Sequence, residues 1–293
     1  MPSEAPPSRV DPLTGHAVVI APARRAIGAA RPEGLPPAAG PCPFCPGHEA
    51  ETEASLLELG TPWQVRVVAN RFPLPVAGHE VLVEHRDHGA DLAGYAPEHA
   101  LQVLAALVQR TAALEAQGGV RAVVPFRNRG RRAGSSQPHP HAQLVALDAV
   151  PPRLAALAER LAEVRLADVL DAESPRHLAT RGSWVAFAPF ASERAFHVRL
   201  AGPSRRLAAL DETDLEALAG LLPAVVAATL SAAGATDYNV LFTSPPVGVR
   251  GPVFLDVLPR TGGDAGFELG SGVTVCVVDP DEAARAVRGQ LRE

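Results

Sequence analysis

The sequence predicts an α+β fold assembled from two similar halves, each a mostly antiparallel sheet with helices packed on it. Three observations lead there. Short apolar runs that end in turn residues recur along the chain and read as strands, while residues 97–117 and 211–233 carry Leu and Val at helical spacing. The order strand, loop, helix, strand then recurs in part beyond residue 174, as a tandem duplication would give. A chain of 293 residues with 47% hydrophobic content suits two domains of ordinary size better than one.

In chain order, Arg9-Val10-Asp11-Pro12-Leu13-Thr14-Gly15 is a turn-rich lead into a strand at residues 16–20. Residues 32–46 are rich in Pro and Gly and read as loop. Inside this loop lies Cys42-Pro43-Phe44-Cys45, whose spacing lets two thiolates reach one zinc at about 2.3 Å. Alone, that spacing leaves metal site, redox pair and coincidence open. The redox reading needs a thioredoxin-like βαβ context, which a loop of prolines does not provide. Residues 65–73 form an alternating strand that ends in a turn. Residues 97–117 bring Leu101, Leu104, Leu107, Val108 and Leu114 to one side and predict a core-packing helix.

Phe126-Arg127-Asn128-Arg129-Gly130 and Ala133-Gly134-Ser135-Ser136 make a basic, glycine-containing loop between two apolar strands. Its hydroxyls and backbone N–H groups suit phosphate. Gln137-Pro138-His139-Pro140-His141-Ala142-Gln143 follows, held extended by its prolines, and runs into Leu144-Val145-Ala146-Leu147, a buried strand. Histidines two apart on a strand point to one face, so His139 and His141 are expected to address one site. The plain alternative is a turn that happens to carry histidine.

A connecting helix over residues 154–170 separates the halves, and the chain divides into residues 1–155 and 156–293. The second half has strands at residues 196–200, 238–242 and 252–259. Its helix, residues 211–233, has Asp211 or Thr213 as cap, and a glycine turn leads into a last strand at residues 273–278. Cys276 in that strand reads as a small buried hydrophobe.

All 27 basic residues are arginine, and the net charge of −5 gives no reason to expect nucleic acid or a membrane as partner. Met1-Pro2-Ser3-Glu4 lacks the charged and apolar regions of a signal peptide, and no apolar run reads as long enough to cross a bilayer. The expected setting is cytoplasmic and reducing, where a close cysteine pair favours metal over disulfide.

From Phe126 to Gln143 the sequence resembles the active-site segment of the galactose-1-phosphate uridylyltransferase family, a branch of the histidine triad superfamily. That pattern runs Phe-x-Asn-x-Gly, then Gly-x-Ser, then His-Pro-His-Gly-Gln, and only Ala142 departs from the last motif. The resemblance implies tandem histidine-triad-like domains. The first would be catalytic and zinc-binding; the second would be degenerate, with Pro252-Val253-Phe254 where the family has another His-x-His. It implies His141 as nucleophile, its ring held by the backbone carbonyl of His139. Gln143, in place of a third histidine, would donate to a phosphate oxygen and favour transfer over hydrolysis.

Residues 80–88 resemble the family's Val-Glu-Ser-Pro-x-His, so the implied zinc ligands are Cys42, Cys45, His88 and His139, with His48 and His85 as rivals. The implied substrate-binding residues are Asn70, Asn128, Gly134, Ser135, Ser136 and Arg24, with Arg71 standing where typical uridylyltransferases have aspartate. Gly266-Phe267-Glu268-Leu269 resembles a segment that family members place against the partner's nucleotide, which implies a homodimer. The implied reaction is nucleotidyl transfer from a nucleotide sugar to a sugar phosphate through a nucleotidyl-histidine. A phosphorylase using inorganic phosphate and a zinc-stapled nucleotide-binding protein without turnover are the alternatives.

Overall fold

The computed structural model describes residues 8–25 and 42–291, so Arg31 and most of the proline-rich segment lie outside the described residues. The strands are β1 (Ser8–Val10), β2 (Ala17–Ile20), β3 (Ser55–Leu59), β4 (Val65–Ala69), β5 (Gly78–Val83), β6 (Ala122–Arg129), β7 (His141–Leu147), β8 (His177–Arg181), β9 (Trp184–Phe187), β10 (Val198–Ala201), β11 (Tyr238–Thr243), β12 (Phe254–Pro259) and β13 (Thr274–Cys276). The helices are α1 (Pro97–Glu115), α2 (Pro152–Arg160), α3 (Leu166–Glu173), α4 (Glu212–Ala219), α5 (Leu222–Ala233), α6 (Gly266–Ser271) and α7 (Pro280–Gln290). β1, β2 and β13 form a small sheet, and β3 to β12 form one large antiparallel sheet.

The strand order of the large sheet, β3-β4-β5-β7-β6-β11-β12-β10-β9-β8, reads the same from either edge once each strand is matched with its counterpart. β6 and β11 meet at the centre, with Asn239 opposite Asn128. Side chains alternate across each strand, so one face is apolar and takes the helices. Val65, Val67, Leu82, Ala142, Leu144, Val240, Leu255 and Val257 face Leu104, Leu107 and Leu114 of α1 and Val225 and Val226 of α5 in one core cluster. Full burial of each large aliphatic side chain contributes about 1.5–3 kcal/mol. The opposite face of β4, β5 and β7 is left for chemistry.

Three expected elements change. Residues 211–233 break at Gly220 and Leu221 into α4 and α5, because Pro223 has no N–H and its ring crowds the preceding turn. Asp211 caps α4 and accepts from Asp214 N at 3.0 Å, while Asp214 accepts from Asp211 N at 3.3 Å. This stretch is also long and apolar enough to cross a membrane by composition, which corrects the sequence expectation, but it is mostly buried in the core. The connecting helix splits into α2 and α3 because Leu161, Val164 and Leu166 turn inward onto Leu13, Leu157 and Phe254. Finally, the glycine turn before β13 contains the short helix α6.

Candidate active site and metal-ligand cluster

The loop before β7 is shaped by two glycines. Gly130 and Gly134 both sit at φ 83°, a conformation that costs glycine nothing, and a Cβ on Gly130 would strike the carboxylate of Asp237. That carboxylate accepts from Arg132 N at 3.0 Å. Ser135 Oγ donates to the Gln137 carbonyl at 2.7 Å, and Arg129 donates to the Pro138 carbonyl at 2.6 Å. On the other side, Glu84 N donates to the Pro140 carbonyl at 3.0 Å. The segment 137–141 is thus clamped from both flanks before the strand begins.

Beneath that clamp, on the helix side of the sheet, Arg127 is fully buried and donates to Glu84 at 2.9 Å, Asp91 at 2.7 Å and Tyr238 at 2.8 Å. Tyr95 adds a bond to Glu84 at 2.9 Å. A buried guanidinium with this many acceptors fixes the ends of β5 and β6 relative to β11.

His139 and His141 do not address one site, contrary to the sequence expectation. β7 starts at His141, so His139 lies outside the strand and the period-two rule does not reach it. His141 is buried and lines a cleft of about 420 Å³ on the open face of the sheet. Its Nδ1–H donates to the His139 carbonyl at 2.8 Å, which leaves the Nε2 lone pair free. Burial holds its pKa below the ordinary histidine value, so the ring is neutral and nucleophilic at neutral pH.

The His139 ring turns the other way. Its Nε2–H donates to the His85 carbonyl at 2.7 Å, and burial pushes its pKa down to about 4. Its Nδ1 lies 3.6 Å from Cys45 Sγ and 3.4 Å from His88 Nδ1, and Cys45 Sγ lies 3.4 Å from His88 Nδ1. With Cys42, these four donor atoms lie within 4.8 Å of one another. A tetrahedral ion with metal–S of ~2.3 Å and metal–N of ~2.05 Å requires S···N near ~3.6 Å and N···N near ~3.3 Å. The cluster therefore fits a tetrahedral cation, and soft thiolates with imidazoles suit zinc. Neither rival joins: His48 Nδ1 donates to the Cys42 carbonyl at 2.8 Å, and His85 stacks on Tyr95 with ring centroids 5.7 Å apart.

Of the expected substrate residues, Asn70, Arg71, Ser136 and Gln143 line the cleft with His141. Asn128, Gly134, Ser135 and Arg24 are not among the lining residues. Asn128 is occupied as acceptor from Asn239 at 2.7 Å, Ser135 is buried, and Arg24 lies in an exposed 3-10 turn, Pro22–Arg24. The sequence reading did not place Phe44, Glu51, Thr52, Glu53, Phe72 or His79 at the cleft, and all six line it. Ala142, the departure from the family motif, points to the helix side and is buried in the core, so its methyl group stays out of the cleft.

Among the described residues, buried side chains occupy the matching place in the second half. β12 begins at Phe254 as β7 begins at His141, so Asp256 corresponds to Gln143. Asp256 is fully buried between Arg199 at 2.6 Å and His197 at 2.8 Å, and Arg199 also donates to Asp11 at 2.7 Å. Burial alone would raise the Asp256 carboxyl, but Arg199 and His197 outweigh it and hold the group well below the usual range. An ion cluster sealed by the N-terminal turn fills the space a ligand would need.

Comparison with known proteins agrees with this geometry. Residues 24–150 match a family model described as the N-terminal domain of DUF4931, a domain of unknown function. ADP-glucose phosphorylase of Arabidopsis thaliana is 26% identical over 98% of this chain and 93% of its own length. Galactose-1-phosphate uridylyltransferase of Streptomyces lividans is 33% identical over 70% of this chain and 59% of its own length. The crystal structure of an ADP-glucose phosphorylase from Arabidopsis thaliana with bound ADP-glucose superposes with a TM-score of 0.86 at 25% identity, over 97% of this chain and 98% of that one. With a histidine pair at the head of β7, a clamped loop before it and a Cys-Cys-His-His cluster behind it, the chain is similar to galactose-1-phosphate uridylyltransferase-like proteins, the phosphorylase branch among them.

Proposed function

We propose that this chain is a nucleotidyltransferase that takes the nucleotidyl group of a nucleotide sugar onto Nε2 of His141 and passes it to a phosphate acceptor. The observation that carries the reading is the His141 ring, buried, with Nδ1 committed to the His139 carbonyl and Nε2 left to the cleft. In the first step Nε2 forms a bond to the α-phosphorus while the bond to the bridging oxygen breaks, releasing sugar-1-phosphate. In the second, an acceptor phosphate oxygen attacks the same phosphorus and returns the electron pair to Nε2. Gln143, on the same strand face, supplies an amide donor to the phosphate without acting as an acid.

Inorganic phosphate is the favoured acceptor and ADP-glucose the favoured donor. The likeness to ADP-glucose phosphorylase covers 98% of this chain and 93% of that one, whereas this chain spans 59% of the Streptomyces uridylyltransferase. Arg71 in place of aspartate at the cleft also favours a base other than uracil. The test is a matrix of ADP-, UDP- and GDP-glucose against inorganic phosphate and hexose-1-phosphates. The expected product is ADP with glucose-1-phosphate from ADP-glucose and phosphate. Turnover confined to UDP-glucose with a hexose-1-phosphate would move the reading to the uridylyltransferase. Nucleotide binding with no label trapped on the protein would move it to a binding protein without turnover.

Cys42, Cys45, His88 and His139 would hold a zinc ion of structural kind, because four protein ligands leave no position for water or substrate. What the chain gains is a fixed His139, whose carbonyl in turn orients His141. The same reading makes the working unit a homodimer. Phe267 and Leu269 of α6 are exposed at 56% and 77%, and their burial by a second copy would bring Glu268 toward its cleft. Sedimentation at assay concentration is expected to show a dimer; a fully active monomer would exclude this part of the proposal.

A further inference from the structure

We infer that His79 is a positioning residue for the reaction proposed above: it holds the Gln143 amide so that the NH2 group, and not the carbonyl oxygen, is offered to the phosphate. The inference rests on that reading of His141 and Gln143. His79 heads β5 and lies diagonally across from Gln143, since Val81 pairs with Gln143 and His79 with Val145. Leu74 N donates to His79 Nδ1 at 3.1 Å, so Nδ1 is the acceptor nitrogen and the ring proton sits on Nε2.

Two groups approach that nitrogen: Gln143 Oε1 at 2.8 Å and Asn70 Nδ2 at 3.0 Å. Asn70 Oδ1 is already taken by Phe72 N at 2.9 Å, so the Asn70 atom facing the ring is its donor. Only the Gln143 oxygen can accept the proton. With its oxygen tethered, the Gln143 amide keeps its two N–H donors for the cleft. The tether is itself anchored in backbone, because the turn between β4 and β5 closes through Asn70 N to the His79 carbonyl at 2.8 Å.

Without His79 the planar amide can turn over, and its oxygen lone pairs would then meet a phosphate that is gaining negative charge. An imidazole in this place is rigid, with two χ angles fixed by neighbours on both nitrogens. It does not touch the substrate; it decides which end of Gln143 does.

The test uses His79→Phe, which keeps the ring and removes both nitrogens, alongside Gln143→Ala and the double variant. The readout is the single-turnover rate at which radiolabelled ADP-glucose transfers its nucleotidyl group to the protein, with no acceptor present. His79→Phe and Gln143→Ala are each expected to slow this step by roughly 10- to 100-fold, the loss of one hydrogen bond to a charged group. ADP-glucose affinity should change little. In the double variant the His79 change should add nothing, since its effect passes through the amide. His79→Gln, whose amide can also donate, should recover most of the rate. A His79→Phe rate equal to wild type, or a double variant slowed by the product of the two single effects, overturns the assignment. If His79→Phe does not fold, nitrogen NMR of the wild-type ring decides: an Nδ1-protonated tautomer refutes the tether. A wild-type protein that traps no label refutes the proposed function itself, a result distinct from either of these.

Discussion

His141→Ala is expected to lose nucleotidyl transfer by about four orders of magnitude or more while the protein stays folded and keeps its metal. Removing a covalent nucleophile deletes the route instead of weakening a contact. The ring packs on Phe44 at a tilt of 48°, with 5.6 Å between centroids, and lies outside the large apolar cluster on the helix side of the sheet. Residual transfer above a tenth of wild type would rule out His141 as the carrier. The pH dependence follows from burial, which holds the folded pKa below the ordinary ~6.5. Because the nucleophile is the neutral ring, label trapping by wild type should stay level as pH falls from 8 through about 6.5 and decline only below that, where the imidazole finally takes a proton. A midpoint at or above ~6.5 would contradict a buried nucleophile.

Cys42→Ser and His88→Ala are expected to release the metal, and with it both stability and transfer. In the absence of a cation, burial and the neighbouring Cys42 thiol push the Cys45 thiol up to about 11, so a bound cation must displace protons to form its thiolates. The binding free energy therefore adds directly to folding free energy. A net loss of even about 3–5 kcal/mol would lower the melting midpoint by roughly 10 °C in a chain of this size. Transfer should fall as well, because His139 presents both a ligand nitrogen to the cluster and a carbonyl to His141. Metal analysis is expected to find about one zinc per wild-type chain and far less in each variant; unchanged content in both would refute the ligand set.

How much of this was legible in the sequence varies with the range of the interactions involved. α1 was visible from its sustained helical spacing and β7 from its short apolar run, both of them local signals. The Cys-Cys-His-His cluster was visible because three separate motifs fitted one family pattern, although spacing alone left it open. The break at Pro223 was written in the chain and masked by the strong apolar content on both sides. The break between α2 and α3 was not written locally, since Leu161 and Val164 turn to reach Leu13 and Phe254 from distant segments. The separation of His139 from His141 depended on where β7 starts, two residues beyond His139. His79 could be read only as one of several candidate histidines for a zinc: its partner is set by the register of β5 on β7, and a lone histidine at a strand head carries no signal of that.

The central pairing of β6 with β11 bears on how such a chain could have arisen. A lone first half would end in the eight-residue strand β6 with its outer row of N–H and C=O groups bare. The simplest partner for that row is the same strand from a second copy. Because the sheet order reads alike from both edges, two identical halves meeting there would rebuild the ten-stranded sheet as a twofold dimer with two histidine sites. Joining the two copies in one chain fixes that contact at any concentration. One site is then free to be lost, and its space is what Asp11, Arg199 and Asp256 now fill.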